Sequence, residues 1–358
     1  MRDLIVVGAG PAGSSVARCA ASQGLDVLLL DKRKEIGKPV QCGEFIASKK
    51  EVVRMFPHAN GLDIVDLIPG SIIQRKITGI KIFSPKGKEN QMSFDGFTVN
   101  RDGLDSHLAE LAVMEGAEVS TNTVVTGVSG NEVFTRDGRH EAKVIVGADG
   151  SRSVVARSVG LESPMRLYSA LTCQVDGDFG SELMMFFGSV APFGYAWIIP
   201  KNKCANVGLG ATDRLPSNDV RKLFNKFIEE RGFEPSQIAG GLVPMGGPVD
   251  RTVSGNVLLV GDSAGHVMAT NGGGVNVAMI CGRIAGECAA DTVLKGVPLL
   301  NYELGWREIV EGPLETAAKT MKLADLFHGS DRRLEFAMWF LGRKGMERAI
   351  RCQRVFRG

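Results

Sequence analysis

The chain opens with an apolar run and three spaced glycines, Leu4-Ile5-Val6-Val7-Gly8-Ala9-Gly10-Pro11-Ala12-Gly13. A second apolar run, residues 27–30, ends directly before Asp31 and Lys32. A buried strand, a glycine-rich turn, a helix and an acidic residue at this spacing predict a βαβ unit that binds a dinucleotide. We expect Lys32, beside Asp31, to belong to the same site.

Each position of this unit has a predicted role in holding the nucleotide. Gly8 permits a tight turn, and Gly10 and Ala12 leave room for a pyrophosphate beside the positive end of the helix. Gly13 lets the helix pack closely on the strand, and Asp31 accepts a hydrogen bond from a ribose hydroxyl.

Composition and charge are those of an ordinary globular protein. The 358 residues are 44% hydrophobic, and 42 basic residues nearly balance 40 acidic ones, which gives no reason to expect nucleic acid as a partner. The seven cysteines form no CxxC pair, which favours a reducing cytoplasm over a disulfide framework. No spacing of histidines, cysteines and acids is typical of a metal site, so no metal is predicted.

The pattern along the chain predicts two domains that interrupt one another. Helices are expected at residues 101–115 and 275–294, and a second nucleotide-type strand at residues 257–260. Alternating segments between residues 170 and 212 predict a sheet with turns such as Lys201-Asn202-Lys203.

The predicted fold class is therefore α/β. It consists of a discontinuous Rossmann-like nucleotide-binding domain (residues 1–70, 99–165 and 246–298), an inserted mixed β-sheet substrate domain (71–98 and 166–245) and a helical C-terminal region (299–358).

Three further segments accompany the glycine motif. Arg101 begins a predicted helix, and Asp149-Gly150 and Gly261-Asp262 each follow a predicted strand. In this combination the chain resembles the flavoprotein superfamily of p-hydroxybenzoate hydroxylase, in which such motifs surround one FAD. The resemblance implies that FAD is the cofactor, that Arg101 contacts its phosphate or ribose, and that Val125 meets the adenine through its backbone. It also implies that Asp262 binds a ribose or ribityl hydroxyl and that Gly272-Gly273-Gly274-Val275 lies by the flavin.

Two local signatures indicate a narrower family. Cys42-Gly43-Glu44 and Tyr195-Ala196-Trp197-Ile198-Ile199-Pro200, followed by Ala205-Asn206-Val207-Gly208-Leu209-Gly210, resemble motifs of geranylgeranyl reductases, above all the archaeal enzymes that saturate digeranylgeranylglycerophospholipids. The resemblance implies FAD-dependent reduction of isolated C=C bonds in isoprenoid lipids. It also places Cys42 and Gly43 beside the cofactor.

The chemistry of such a reaction points to three candidate catalytic residues. An isolated alkene has no carbonyl to polarise it, so we expect protonation to accompany hydride delivery in a site that excludes water. Tyr195 and Trp197 are predicted to line this site, where aromatic rings stabilise positive charge. Cys42 is the third candidate. The alternative is that Cys42 serves only as a small apolar residue buried in the core. Met184-Met185 and Phe186-Phe187 are expected either as cavity wall or as plain sheet core.

Other functions remain open. The segment 195–200 differs by one residue from the WxWxIP motif of flavin halogenases, and Gly274-Val275-Asn276 fits the GxN pattern of flavin monooxygenases. A non-catalytic electron-transfer flavoprotein is a further alternative. Because the chain has a single GxGxxG motif, we expect the electron donor, NAD(P)H or a ferredoxin-like protein, to bind only transiently.

The end of the chain has a character of its own. Residues 332–358 include eight basic and two acidic residues among apolar ones such as Trp339. This pattern predicts a basic amphipathic helix, including Arg343 and Arg351, at an anionic membrane surface. The alternative is a terminal helix that packs on the body with a solvated basic face. No apolar stretch reaches the roughly 18 residues that span a bilayer, so we expect a cytoplasmic protein, peripheral at the membrane's cytoplasmic face.

Overall fold

Two β-sheets and a helical C-terminus make up the computed structural model, which describes residues 1–60, 62–212 and 215–356. Its strands are, in chain order, β1 (Arg2–Val7), β2 (Val27–Leu30), β3 (Phe45–Ala47), β4 (Ile73–Phe83), β5 (Glu89–Val99), β6 (Glu118–Ser120), β7 (Val125–Ser129), β8 (Glu132–Thr135), β9 (Arg139–Gly147), β10 (Leu167–Asp176), β11 (Glu182–Phe186), β12 (Tyr195–Pro200), β13 (Cys204–Thr212), β14 (Ala239–Pro244), β15 (Val253–Ser254) and β16 (Val257–Leu259). Its α-helices are α1 (Pro11–Ser22), α2 (Lys49–Met55), α3 (Arg101–Met114), α4 (Val154–Ser158), α5 (Ser217–Glu229), α6 (Val275–Lys295), α7 (Asn301–Trp306), α8 (Gly312–His328) and α9 (Asp331–Ile350). Arg357 and Gly358, the end of the predicted basic tail, lie outside the described residues.

The first sheet contains the glycine motif. Its main strands lie in the order β15-β16-β9-β1-β2-β6 and are parallel from β16 to β6, while the hairpin of β7 and β8 pairs with β9. Leu4 pairs with Val27 on one side and with Val144 on the other. Because α1 and α6 cover one face of the sheet and α4 the other, β1 and β2 are apolar without alternation.

The four predicted nucleotide motifs follow four neighbouring parallel strands of this sheet. Gly8 comes after β1, Asp31 after β2, Asp149 after β9 and Asp262 after β16. The carboxyl ends of parallel strands meet at one edge, and ligands of open α/β sheets bind at that edge. The fold therefore brings together motifs that are far apart in the sequence.

The second sheet has the order β14-β10-β13-β12-β11-β4-β5-β3, in which β11 and β4 are parallel and the other neighbours antiparallel. Successive side chains of a strand point to opposite faces. On one face, Ile198 of β12 and Phe224 of α5 belong to the same apolar core. Trp197 and Ile199 point the other way and belong to the core that this sheet shares with the first one.

The α/β fold class is confirmed, as are the long elements. The predicted helices 101–115 and 275–294 are α3 and α6, and the strand predicted at residues 257–260 is β16. The short strand β3 lies within the residues predicted for the nucleotide-binding domain, yet it pairs with β5 of the second sheet. The division into domains stays a prediction.

Helix α9 packs on the body through one face. Leu334, Met338, Met346 and Ile350 are buried, and the helix is interrupted at Gly342, whose φ of 59° is left-handed. The opposite side leaves large aromatic side chains exposed, including Trp339. Among the described helices, none is long and apolar enough to cross a membrane.

Arg351 does not belong to the exposed basic surface that the sequence predicted. Its guanidinium is buried, where Nε donates to Glu51 Oε2 at 2.8 Å and Nη2 donates to the carbonyl oxygen of Ser93 at 2.7 Å. Glu347 binds it from one turn earlier in α9. The amphipathic pattern therefore misassigned this residue, because the ion pair with Glu51 of α2 compensates the cost of burying its charge.

His266 makes the stability of the fold depend on pH. Its imidazole is fully buried beside Trp306, with ring centroids 4.7 Å apart, and within the described chain neither ring nitrogen has a hydrogen-bond partner. Burial, together with the charge of Arg307, lowers the pKa of His266 to about 3. The folded protein therefore keeps this side chain neutral under conditions in which an unfolded chain protonates it.

We expect His266→Leu to remove part of the acid sensitivity of folding. An unfolded histidine gains its proton below about pH 6.5, whereas folded His266 stays neutral down to about pH 3. Between these values, falling pH lowers the free energy of unfolding by up to about 1.4 kcal/mol per pH unit. Denaturant unfolding between about pH 7 and pH 4 measures the effect, with exposed His58→Leu as the control. An identical pH slope in both variants would contradict this prediction.

Candidate functional site

A cavity of about 400 Å³ is lined by residues of both sheets. At one end its wall is the turn between β1 and α1, and at the other it is apolar. The predicted site residues in the wall are Gly10, Ala12, Cys42, Gly43, Arg101, Tyr195, Trp197, Gly261, Asp262, Gly273, Gly274 and Val275. The remaining predicted residues, Gly8, Gly13, Asp31, Lys32, Val125 and Asp149, lie outside this wall.

The three glycines of the first motif differ in what surrounds them. A Cβ atom on Gly13 would lie 1.8 Å from the carbonyl oxygen of Gly8, and one on Gly8 would lie 2.3 Å from that of Ala148. Gly8 also has a φ of +104°, which only glycine adopts readily. A Cβ on Gly10 would meet nothing within 4 Å, so Gly10 alone faces open space in the cavity.

Asp31 is held by a residue that the sequence analysis missed. Its Oδ2 accepts from the N–H of Ala9 at 2.8 Å, and both carboxylate oxygens accept from the Arg33 guanidinium. Burial by itself would raise the pKa of Asp31, but Arg33 outweighs it and the pKa is lowered. Lys32 is exposed. A ribose hydroxyl would therefore share Asp31 with Arg33.

Asp149 has one occupied and one vacant carboxylate oxygen. Oδ2 accepts from the backbone N–H groups of Val154 and Val155 at the start of α4. Oδ1 is buried, and no partner for it occurs among the described residues. Such an oxygen is costly unless a ligand or water binds it. Val125 packs in the core beneath the first sheet, so only its backbone could reach an adenine.

Arg101 and Asp262 supply opposite charges to the cavity. The Arg101 guanidinium binds Asp105 at 2.8 Å. Burial opposes the charge of Arg101, but the carboxylate of Asp105 outweighs it, so the pKa of Arg101 is raised. Burial raises the pKa of Asp262 to about 6, and Arg101 opposes that rise.

The glycine-rich turn before α6 closes the cavity beside the aromatic residues. Gly272 has a φ of +69°, and the Tyr195 hydroxyl donates to the carbonyl oxygen of Asn271. Gly274 is the N-cap of α6, and no side chain caps this helix. Its first N–H groups are consequently free to bind a negatively charged group.

The three candidate catalytic residues line the same cavity. The rings of Tyr195 and Trp197 have centroids 5.8 Å apart, and Sγ of Cys42 accepts a hydrogen bond from the N–H of Glu44 at 3.2 Å. The apolar wall beside them contains Met55, Ile80, Phe94, Leu183, Met185 and Ile350.

Only part of the methionine and phenylalanine run lines this wall. Met185 does, but Met184 and Phe186 point to the opposite face. There the rings of Phe186 and Phe227 of α5 have centroids 5.6 Å apart. Phe187 packs against Tyr195. The alternation of a β-strand explains the difference. Within the described part of the chain, no group of histidine, cysteine and acidic side chains could hold a metal ion.

Comparison with known proteins identifies the family. Residues 167–247 match the geranylgeranyl reductase catalytic domain, and residues 6–59 match a NAD(P)-binding Rossmann-like domain. The chain is 36% identical over 344 residues to digeranylgeranylglycerophospholipid reductase 2 of Methanothermobacter thermautotrophicus, an alignment that covers 90% of this chain and 88% of the relative. The chain belongs to the geranylgeranyl reductase family. It is therefore an oxidoreductase, as its motifs predicted.

Solved structures agree with this assignment. A geranylgeranyl bacteriochlorophyll reductase-like protein from Thermoplasma acidophilum is 27% identical and superposes with a TM-score of 0.83 over 94% of this chain and 90% of its own. The halogenase PltM in complex with FAD is 15% identical, with a TM-score of 0.72 over 97% of this chain and 80% of its own. At that identity the likeness to the halogenase shows a shared fold.

The glycine motif yields a matched pair of variants. We expect Gly10→Val to weaken the binding of FAD, the cofactor that the sequence predicted, by at least about tenfold, or ~1.4 kcal/mol. The stability of the free protein should change by less than about 0.5 kcal/mol. Gly13→Ala should instead lower the free energy of unfolding by more than about 2 kcal/mol, since its Cβ meets a backbone oxygen. FAD titration and denaturant unfolding distinguish the two. Equal loss of stability in both variants would contradict the assignment.

Proposed function

We propose that this protein is an FAD-dependent reductase that saturates isolated C=C bonds of geranylgeranyl chains in isoprenoid lipids. The observation that supports it most is one cavity whose wall combines the glycines of the nucleotide motifs, a set of apolar side chains, and Cys42, Tyr195 and Trp197. The names of the curated relatives agree with this substrate class.

The features at the first end fit FAD. Gly10 leaves open space beside the uncapped start of α1, where backbone N–H groups would bind a pyrophosphate. The vacant Oδ1 of Asp149, whose neighbours Ala148 and Gly150 line the cavity, would accept a hydrogen bond. The uncapped start of α6 at Gly274 would stabilise negative charge on a flavin. When bound, FAD supplies the hydride chemistry. The sequence-predicted donors, NAD(P)H or a ferredoxin-like protein, remain proposals.

The side chains of the cavity wall would exclude water from the alkene and stabilise the charge that develops on it. The apolar wall excludes water from the double bond, so positive charge that develops there is not quenched. The faces of Tyr195 and Trp197 stabilise that charge. Since the Tyr195 hydroxyl already donates to Asn271, we assign the proton to Cys42, whose Sγ accepts rather than donates in its contact with Glu44. One carbon of the alkene would thus take the hydride that reduced FAD supplies, and FAD would be oxidised in the same step. The other carbon would take the Cys42 thiol proton, and a proton from water would restore the thiol afterwards.

Cys42→Ser tests this assignment. We expect alkene reduction to fall by about 10²-fold, the usual contribution of a positioned proton donor, with bound FAD unchanged. Anaerobic reduction of the flavin, followed by geranylgeranylated phospholipid and mass spectrometry, measures products in steps of two hydrogens. Cys19→Ser, a half-buried cysteine of α1, is the control. Full turnover in Cys42→Ser would remove Cys42 from the reaction, and a product that requires oxygen would favour the monooxygenase or halogenase class.

We further propose that the exposed side of the C-terminal region contacts a membrane surface. Trp339 and Phe340 are each 64% exposed, and Phe336 and Phe356 lie beside them. The same segment of the chain has several exposed cations, namely Arg332, Arg333, Arg343, Lys344 and Arg354. Exposed aromatic rings with a basic rim bind the interface of anionic lipids. A lipid substrate has to leave such an interface in order to react.

Substitutions test this surface better than truncation, because removal of residues after Ser330 also deletes the buried Arg351. We expect the double variant Trp339→Ser, Phe340→Ser to bind anionic phospholipid vesicles about tenfold more weakly. Vesicle co-sedimentation at several salt concentrations measures this. Leu304→Ser, at an equally exposed leucine of α7, is the control. Undiminished binding by the double variant would overturn the proposal.

A further inference from the structure

A buried polar network joins the loop at Cys42 to the second sheet. Its centre is Glu44, whose side chain is only 2% exposed. The carboxylate accepts from Lys201 Nζ at 2.9 Å through both oxygens, from Asn206 Nδ2 at 3.0 Å and from Gln174 Nε2 at 2.5 Å. The N–H of Arg101 donates to it at 3.1 Å. We call these five residues the Glu44 network.

The charges within the Glu44 network neutralise one another. Lys201 is 5% exposed and neutralises Glu44, so neither charge is buried alone. The backbone of Glu44 has a φ of +64°, a left-handed conformation that costs energy in any residue other than glycine. The contacts of the carboxylate hold the chain in this conformation. The loop is therefore fixed by its side chain rather than by intrinsic backbone preference.

Asn206 connects this network to both candidate groups. Its Nδ2 donates to the carbonyl oxygen of Cys42 at 2.8 Å, while its Oδ1 accepts from Trp197 Nε1 at 2.8 Å and from Thr172 Oγ1 at 2.8 Å. Asn206 is fully buried. Two acceptors face Nδ2 and two donors face Oδ1, so only one orientation of the amide satisfies all four contacts.

From this geometry we propose that Asn206 is a positioning residue, which sets the Cys42 loop and the Trp197 indole relative to one another. Asn206 itself lies outside the cavity wall and acts through these two residues. The Glu44–Lys201 ion pair holds the Nδ2 group of Asn206 in place, because this group also donates to Glu44 Oε2. The benefit for alkene reduction rests on the function proposed above, whereas the positioning of Cys42 does not depend on it.

Alkylation of Cys42 tests the positioning without any substrate. In Asn206→Asp, the new carboxyl group faces Glu44 and the Cys42 carbonyl, so the loop should be displaced. We expect iodoacetamide to modify Cys42 about tenfold faster in this variant than in the wild-type holoenzyme. Peptide mass spectrometry measures the extent of modification over time. Toward acid pH the new carboxyl group gains one proton and can donate to one of its two acceptors, so the ratio to wild type should fall without reaching one. Asn256→Asp, the same change at a turn between β15 and β16, is the control.

Kinetics supply the second measurement. Misplacement of reacting groups by about 1 Å costs on the order of 10²-fold in rate, so we expect kcat to fall while the Kd for FAD stays within about threefold. Gln174→Leu removes one contact of Glu44 and leaves Asn206 intact, so we expect a smaller rise in the rate of Cys42 alkylation. If Asn206→Asp does not fold, this variant tests whether the network positions Cys42. Wild-type rates of Cys42 alkylation in both network variants, or an equal increase in Asn256→Asp, would overturn the proposal. A wild-type protein without alkene turnover would refute the proposed function instead, and the alkylation result would still stand.

Discussion

The buried carboxylate of Glu44 is the constraint on which the site depends. A carboxylate with 2% exposure is tolerated only when a cation and hydrogen-bond donors surround it. Those groups come from the second sheet, through Lys201, Asn206 and Gln174, and Glu44 itself directly precedes β3, the edge strand of that sheet. The Cys42 loop is consequently fixed to this sheet. The approach of Cys42 to Trp197 follows, because Asn206 of the same network binds both residues.

The sequence predicted the nucleotide end of the site better than its centre. Gly8, Gly13, Asp149 and Asp262 are set by local rules, because a turn after a parallel strand has few solutions and each leaves a recognisable residue pattern. Lys201 has no such pattern. In the sequence it belongs to a predicted turn, Lys201-Asn202-Lys203, and lysines in turns are usually exposed. Its burial results from Glu44, a residue 157 positions away, and a partner at that separation leaves no periodic signal.

The C-terminal region shows a related limit. Periodicity predicted an amphipathic helix correctly, but α9 has apolar residues on two sides, and hydrophobicity cannot say which side the body covers. Leu334 and Met338 became core, whereas Trp339 and Phe340 stayed exposed. Arg351 is buried, and its ion pair with Glu51 of α2 neutralises its charge there. Only the tertiary structure separates the basic residues that neutralise the interior from those that face outward.

The shape of the cavity also bears on the choice among flavoenzyme classes. Halogenases share the fold, so the fold does not distinguish a reductase from an oxygenase. The distinction lies in how polarity is distributed: the glycine-lined end has free N–H groups, and the wall beyond Tyr195 and Trp197 is apolar. A small polar aromatic substrate would gain less from Met55, Ile80 and Phe94, because it has less apolar surface to bury and its polar groups would find no hydrogen-bond partners on these side chains. A long hydrocarbon chain gains about 25 cal/mol for each Å² that it buries, and in burying it excludes the water that would compete for a developing positive charge.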